Sequence, residues 1–228
     1  MTEAKQKEDA MRRWSVAHHY VSICGKVIDE VTRTPIARAE VRLVRVPREF
    51  KTRLDLLAKY DGVEWAKRNQ RPDKTVSRAD GLFYFLDLPD GKYEVRAVLP
   101  NCGKRYGAAT QKKDVTRGEL SGLKTLQDVW AVLALPPTGI KGKIIDAARK
   151  TGVLMAEVRL KGSGERTFCD ARGEFTLAPI EASRNAKRTL IASAQGYKPR
   201  ERVDIVFRKT GELMNLEPDI GLDLVRQG

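Results

Sequence analysis

His18 and His19 are the only imidazoles in a chain of 228 residues, and this limits the available chemistry at once. A zinc centre draws two or three histidines and a carboxylate onto one ion. Neighbouring residues of a strand point to opposite faces, so this adjacent pair could not close on one metal there. Both also precede every segment with a regular apolar pattern. Ser–His and Cys–His nucleophile schemes need an imidazole base beside the hydroxyl or thiol, and neither half of the patterned chain contains one. Cys24, Cys102 and Cys169 are far apart, odd in number and form no C-x-x-C pair, which reads as free thiols. Asp80, immediately ahead of Gly81, and Asp170, three residues ahead of Gly173, read as turn residues. The segment from Asn101 to Gly107, NCGKRYG, could hold an anion on backbone amides, but no helix N-terminus follows it. It reads as a mobile connection. No G-x-x-x-x-G-K-[ST] loop is present. The expectation is no catalytic residue, no metal and no cofactor.

Charge narrows the partners. The formal net charge is +13, with 43 Lys and Arg against 30 Asp and Glu. The cations are scattered through both halves and no aromatic RNA-binding motif accompanies them. This predicts a basic surface facing an acidic protein, and no nucleic acid. No apolar run reaches 18 residues, so no membrane insertion is expected. The start, MTEAKQKEDAMRRW, lacks the apolar stretch of a secretory signal, which predicts a cytoplasmic location.

The elements that would position any site come in duplicate. Gly25 to Leu43 reads GKVIDEVTRTPIARAEVRL and Gly142 to Leu160 reads GKIIDAARKTGVLMAEVRL, identical at about half of the positions without a gap. LQDVWAVLAL from Leu126 likewise aligns with LEPDIGLDLV from Leu216. Within each copy, period-two alternation marks strands. Ile23 and Val27 oppose Cys24 and Lys26; Ile140 and Ile144 oppose Lys141 and Lys143. Val41 and Leu43 flank Arg42, and Val158 and Leu160 flank Arg159. Phe83 and Phe85, then Tyr93, Val95 and Ala97, continue the first pattern. Asp80-Gly81 and Asp90-Gly91 supply hairpin chemistry between strands. The fold class predicted is all-β: two tandem seven-stranded antiparallel β-sandwiches over residues 21–137 and 138–226, preceded by a helix or arm over 1–20.

The succession G-K-V-I-D, T-P-I-A-R-A-E-V-R-L and D-G-L-F-Y-F-L-D-L-P-D-G-K-Y-E-V-R-A resembles the carboxypeptidase regulatory-like domain, whose sandwich is transthyretin-like (prealbumin-like). The first copy follows the pattern well. The second has APIEASRNAKRTL where the first has the L-P-x-G-x-Y segment. The resemblance implies a fold, not a site. Fold-related enzymes, namely zinc carboxypeptidases, transthyretin-like hydrolases and intradiol dioxygenases, use histidines that these sandwiches lack. Proteins of this resemblance without a signal sometimes belong to phage-tail-like contractile injection particles.

Two segments exceed the duplicated module. In the N-terminal stretch, Met11 and Trp14 are three residues apart and would share one side of a helix; a docking arm and a frayed tail both remain open. The second is an insertion from Pro47 to about Asp73, which the second copy replaces with KGSGER. Pro47 suits a helix start, Asp61-Gly62 a helix end, and the spacing predicts a helix over 48–60 with Phe50, Leu54 and Leu57 on one side. This stripe either packs on its own sandwich or faces a partner. The candidate protein interface is Met11, Trp14, Phe50, Leu54, Leu57, Tyr60 and Trp65. The function expected is a non-catalytic structural or adaptor subunit that contacts other protein subunits. The alternative is a carbohydrate-binding module, with Tyr60, Trp65, Tyr106 and Trp130 as its rings.

Overall fold

The computed structural model describes residues 19–116, 129–181, 187–207 and 209–223. Its buried side chains gather in two clusters, one spanning Ile23 to Leu135 and the other Ile140 to Leu222. Each cluster is the filling between two sheets, as alternation with one wet face requires.

In the first half, β1 (Val21–Asp29), β4 (Leu82–Leu86) and β7 (Trp130–Leu135) form one sheet in the order β4-β1-β7. The facing sheet is β3-β2-β5-β6, from β3 (Lys74–Val76), β2 (Glu40–Arg45), β5 (Gly91–Val98) and β6 (Ala109–Val115). The second half repeats this plan. There β8 (Gly139–Asp146) takes the place of β1, beside β11 (Glu174–Leu177). The other sheet runs β10-β9-β12-β13, from β9 (Glu157–Leu160), β10 (Arg166–Phe168), β12 (Lys187–Ser193) and β13 (Arg200–Val206).

Two departures from the sequence reading are informative. The expected antiparallel pairing fails at one place in each half: β7 runs parallel to β1, and β14 (Leu213–Asn215) and β15 (Ile220–Leu222) run parallel to β8. Parallel neighbours need a long crossover, and here the rest of the module supplies it. The alignment of Leu126 with Leu216 is also shifted. Leu133 pairs with Val27, and Ile220 pairs with Ile144, the repeat equivalent of Val27, so Leu133 matches Ile220. Where β7 is continuous, the second copy breaks its last strand into two pieces around Leu216–Asp219.

The insertion forms α1 (Arg48–Asp61) and α2 (Val63–Lys67). Pro47 caps α1 at φ −58°, and Gly62 ends it at φ 55° with its N–H on the Ala58 carbonyl. Glu49 in the first turn and Lys59 in the last suit the helix dipole. Phe50 is 3% exposed and meets the Tyr93 ring edge-on at 6.2 Å, while Leu54 packs against the same core. This end of the stripe therefore faces inward, because burying an aromatic ring outweighs presenting it to water by about 1.5–3 kcal/mol.

Candidate functional site

A connected set of hydrogen bonds and ion pairs lies where the halves meet. Three residues, Pro136 to Thr138, separate β7 from β8. Thr138 is fully buried. Its N–H donates to the Arg105 carbonyl at 2.7 Å, and its carbonyl accepts from Ile180 N–H at 2.9 Å. Its hydroxyl donates to the Lys104 carbonyl and accepts from Gly211 N–H, both at 2.7 Å. One threonine thus ties the β5–β6 loop of the first half to two segments of the second. The stretch Asn101–Gly107, expected to be a mobile connection, is instead fixed. One of its backbone amides does hold an anion, but that anion is the protein's own: Lys104 N–H donates to Glu181 at 3.0 Å. Arg105 adds a 2.9 Å ion pair with Glu165 and a 3.1 Å hydrogen bond to the Pro179 carbonyl. Gly103 (φ 62°) lies so close to the Glu181 carboxylate that a Cβ would come within 2.3 Å of it. Across the junction, the Gly107 and Gly211 backbones touch; a Cβ on Gly211 would stand 2.6 Å from the Gly107 Cα.

Arg105 and Tyr106 are neighbours that point to opposite halves. While Arg105 reaches across, the Tyr106 hydroxyl returns to Asp29 at 2.8 Å. Asp29 is 3% exposed and its other oxygen caps the turn after β1, accepting from Val31 and Thr32 N–H at 2.8 Å each. The second copy repeats the arrangement: Asp146 accepts from Ala148 and Arg149 N–H at 2.8 Å and from the Tyr197 hydroxyl at 3.1 Å. These amide bonds, chiefly that from Arg149, hold the Asp146 carboxyl below its ordinary value. Burial, and then the facing carboxylates, push both phenols up. Both aspartates serve as hydrogen-bond acceptors at the turn that follows the first strand of their copy. Their shared place at the end of each G-K-[VI]-I-D was the signal that could have found them. Asp80 and Asp170 likewise accept from turn amides, Leu82 N–H at 3.0 Å and Arg172 N–H at 2.8 Å.

The other singled-out residues are dispersed. Met11, Trp14 and His18 lie outside the described residues. His19 is exposed and bonded to Asp87. Leu57 is half-buried, Tyr60 is 91% exposed, and the half-buried Trp65 is covered on one face by the Arg71 guanidinium at 4.8 Å. Of the rings considered for sugars, Tyr106 is engaged with Asp29 and Trp130 sits on the outer face of β7, so the four are not gathered on one platform. Cys169 is 2% exposed, and burial raises its thiol to about 11; burial also raises the Cys24 thiol. No set of three or more His, Cys, Asp or Glu among the described residues could hold a metal ion.

The sequence of the second half is matched by a family model. Residues 140–223 match the CarboxypepD_reg-like domain. The match falls on the copy in which the L-P-x-G-x-Y segment is missing, and the first copy repeats its sheet order. No curated protein matches the chain at a significant level. Among solved structures, the chain is similar to a streptococcal ancillary pilin (15% identity, 93% of this chain and 64% of that one, TM-score 0.33). It is also similar to the shaft pilin SpaA of Lactobacillus rhamnosus GG (11% identity, 90% and 98%, TM-score 0.34). A third is the Bacillus anthracis TIE protein (17% identity, 90% and 34%, TM-score 0.31). The chain thus spans less than two thirds of the ancillary pilin's length. Likenesses this distant carry no argument about function. Among the described residues, no helix is long and apolar enough to cross a membrane.

Proposed function

We propose that this chain is a non-catalytic structural or adaptor subunit, which holds other protein subunits at a set spacing within a larger cytoplasmic assembly. The observation that supports this is the junction at Thr138. Its four hydrogen bonds and the Arg105–Glu165 pair fix one sandwich to the other through a three-residue link. A part that sets the distance between partners needs such fixed geometry, whereas a binding module on a loose tether does not. The excess of 43 basic over 30 acidic residues favours partners with acidic surfaces and makes association weaken as salt rises. A phage-tail-like contractile injection particle is the assembly to which the sequence resemblance points.

Size-exclusion of native lysate at low salt, followed by affinity capture, mass spectrometry and particle imaging, tests the proposal. Co-elution with protein subunits in a large, salt-sensitive particle is the expected result. Elution at the mass of a single chain, with no co-purifying subunit at low salt, refutes it.

A further inference from the structure

We infer that the N-terminal segment, residues 1–18, docks back onto the outer face of the β4-β1-β7 sheet of its own chain. That face is apolar although it points away from the core. Strand register sets Tyr84, Cys24 and Trp130 side by side across the three strands. Around this row, Val21 is 49% exposed, Tyr84 47%, Val132 46% and Leu86 37%. Contiguous exposed apolar surface of this kind marks a contact site.

The second copy is an internal control. Its equivalent row is Thr176, Lys141 and Asn215, and Glu174 pairs with Lys143 where Leu82 pairs with Lys26. The same sheet in the same fold is polar there. The two halves differ in what precedes their first strand: β8 follows directly from Pro136–Thr138, whereas β1 follows 20 residues of additional chain. The apolar face thus occurs on the half whose first strand is preceded by further chain.

Where that segment joins the fold supports the same occupant. Tyr20 N–H and His19 are held by Asp87, beside Leu86 at the rim of the face. The row of Cys24 lies only about 10 Å along β1 from Val21 at ~3.3 Å per residue, so a chain turning back at this anchor would reach it within the stretch that contains Trp14 and Met11. Met11 and Trp14 are three residues apart, a spacing that would put both on one side of a helix, and Glu8, three residues before Met11, is opposite in charge to Lys26 on the sheet face.

Cys24 reports the outcome, because it sits in the middle of the face. In a Cys102→Ser background the remaining thiols are Cys24 and the buried Cys169. The rate at which a soluble aromatic disulfide reagent modifies Cys24 is measured in the full chain, with and without Met11→Ala plus Trp14→Ala, at two protein concentrations. Docking in cis predicts that the double substitution speeds modification about tenfold, independently of concentration. A Met11→Cys variant with Trp14 retained is expected to form a disulfide with Cys24 within one chain on mild oxidation. Equal rates with no intrachain disulfide overturn the inference. Modification that accelerates on dilution, with disulfide-linked dimers, overturns it in favour of a second copy covering the face.

Discussion

The Tyr106 hydroxyl donates to Asp29 across 77 residues of chain, at 2.8 Å, and the bond is repeated between Tyr197 and Asp146. In each copy the phenol comes from the loop that follows the fifth module strand, and the carboxylate ends the first strand. The bond therefore joins the two sheets at one end of the sandwich. Both carboxylates are almost fully buried, so the tyrosine satisfies an acceptor that water does not reach.

Removing that donor leaves Asp29 with a buried oxygen short of its partner. Tyr106→Phe is expected to destabilise the first half by about 1–3 kcal/mol. A urea titration followed by tryptophan fluorescence measures it. No change in the midpoint would show that the bond contributes nothing net.

The pH limits follow from the shifted groups. The Asp146 carboxyl is held below 3.8 in the fold. A depressed folded value gives stability that is present above the unfolded value and lost as pH falls through the folded one. Asp146→Asn is therefore expected to lower the melting temperature at neutral pH, with the difference from the parent shrinking below about pH 4. Tyr106 and Tyr197 carry the opposite sign: their phenols are raised above 10.0. Their contribution is complete below pH 10 and declines as pH climbs towards their folded values. Melting curves across both limbs check the two signs separately.

Thr138→Val keeps the shape of the side chain and removes its hydroxyl. The Lys104 carbonyl and Gly211 N–H then lose their common partner. The expected cost is about 1–3 kcal/mol for each group that stays dry. Amide hydrogen exchange at Gly211 should accelerate in the variant while exchange at Val27 and Val95, inside the first sandwich, stays slow.

The insertion offers a graded series. Phe50→Ala is expected to cost about 3–5 kcal/mol, as for a buried ring. Leu54→Ala and Leu57→Ala should cost less, because both are half-buried. Tyr60→Ala should stay within about 0.5 kcal/mol. Loss of a partner with Tyr60→Ala at unchanged stability would identify the outer side of α1 as a contact surface.

Sequence alone determined the elements. Period-two alternation from Ile23 to Val27 and from Phe83 to Phe85 put those residues on the buried side, because a pleated strand can turn only one set of side chains inward. The shared AEVRL blocks announced the duplication. Pro47, the apolar spacing and Asp61-Gly62 bounded α1 to within one residue, since helix ends are set by local chemistry. Tertiary structure decided the rest. The parallel pairing of β7 with β1 depends on where a strand lands after about 100 residues, which no local pattern encodes. The junction is built by Lys104, Arg105, Thr138 and Gly211, which lie in loops without periodicity and meet over separations of 34 and 73 residues. Glycine and basic residues in NCGKRYG looked like a free loop for the same reason: its partners, Glu165, Pro179 and Glu181, belong to the other sandwich. A hydrogen bond between two loops leaves no period in the sequence, so only the packed molecule could reveal that the halves are fastened together.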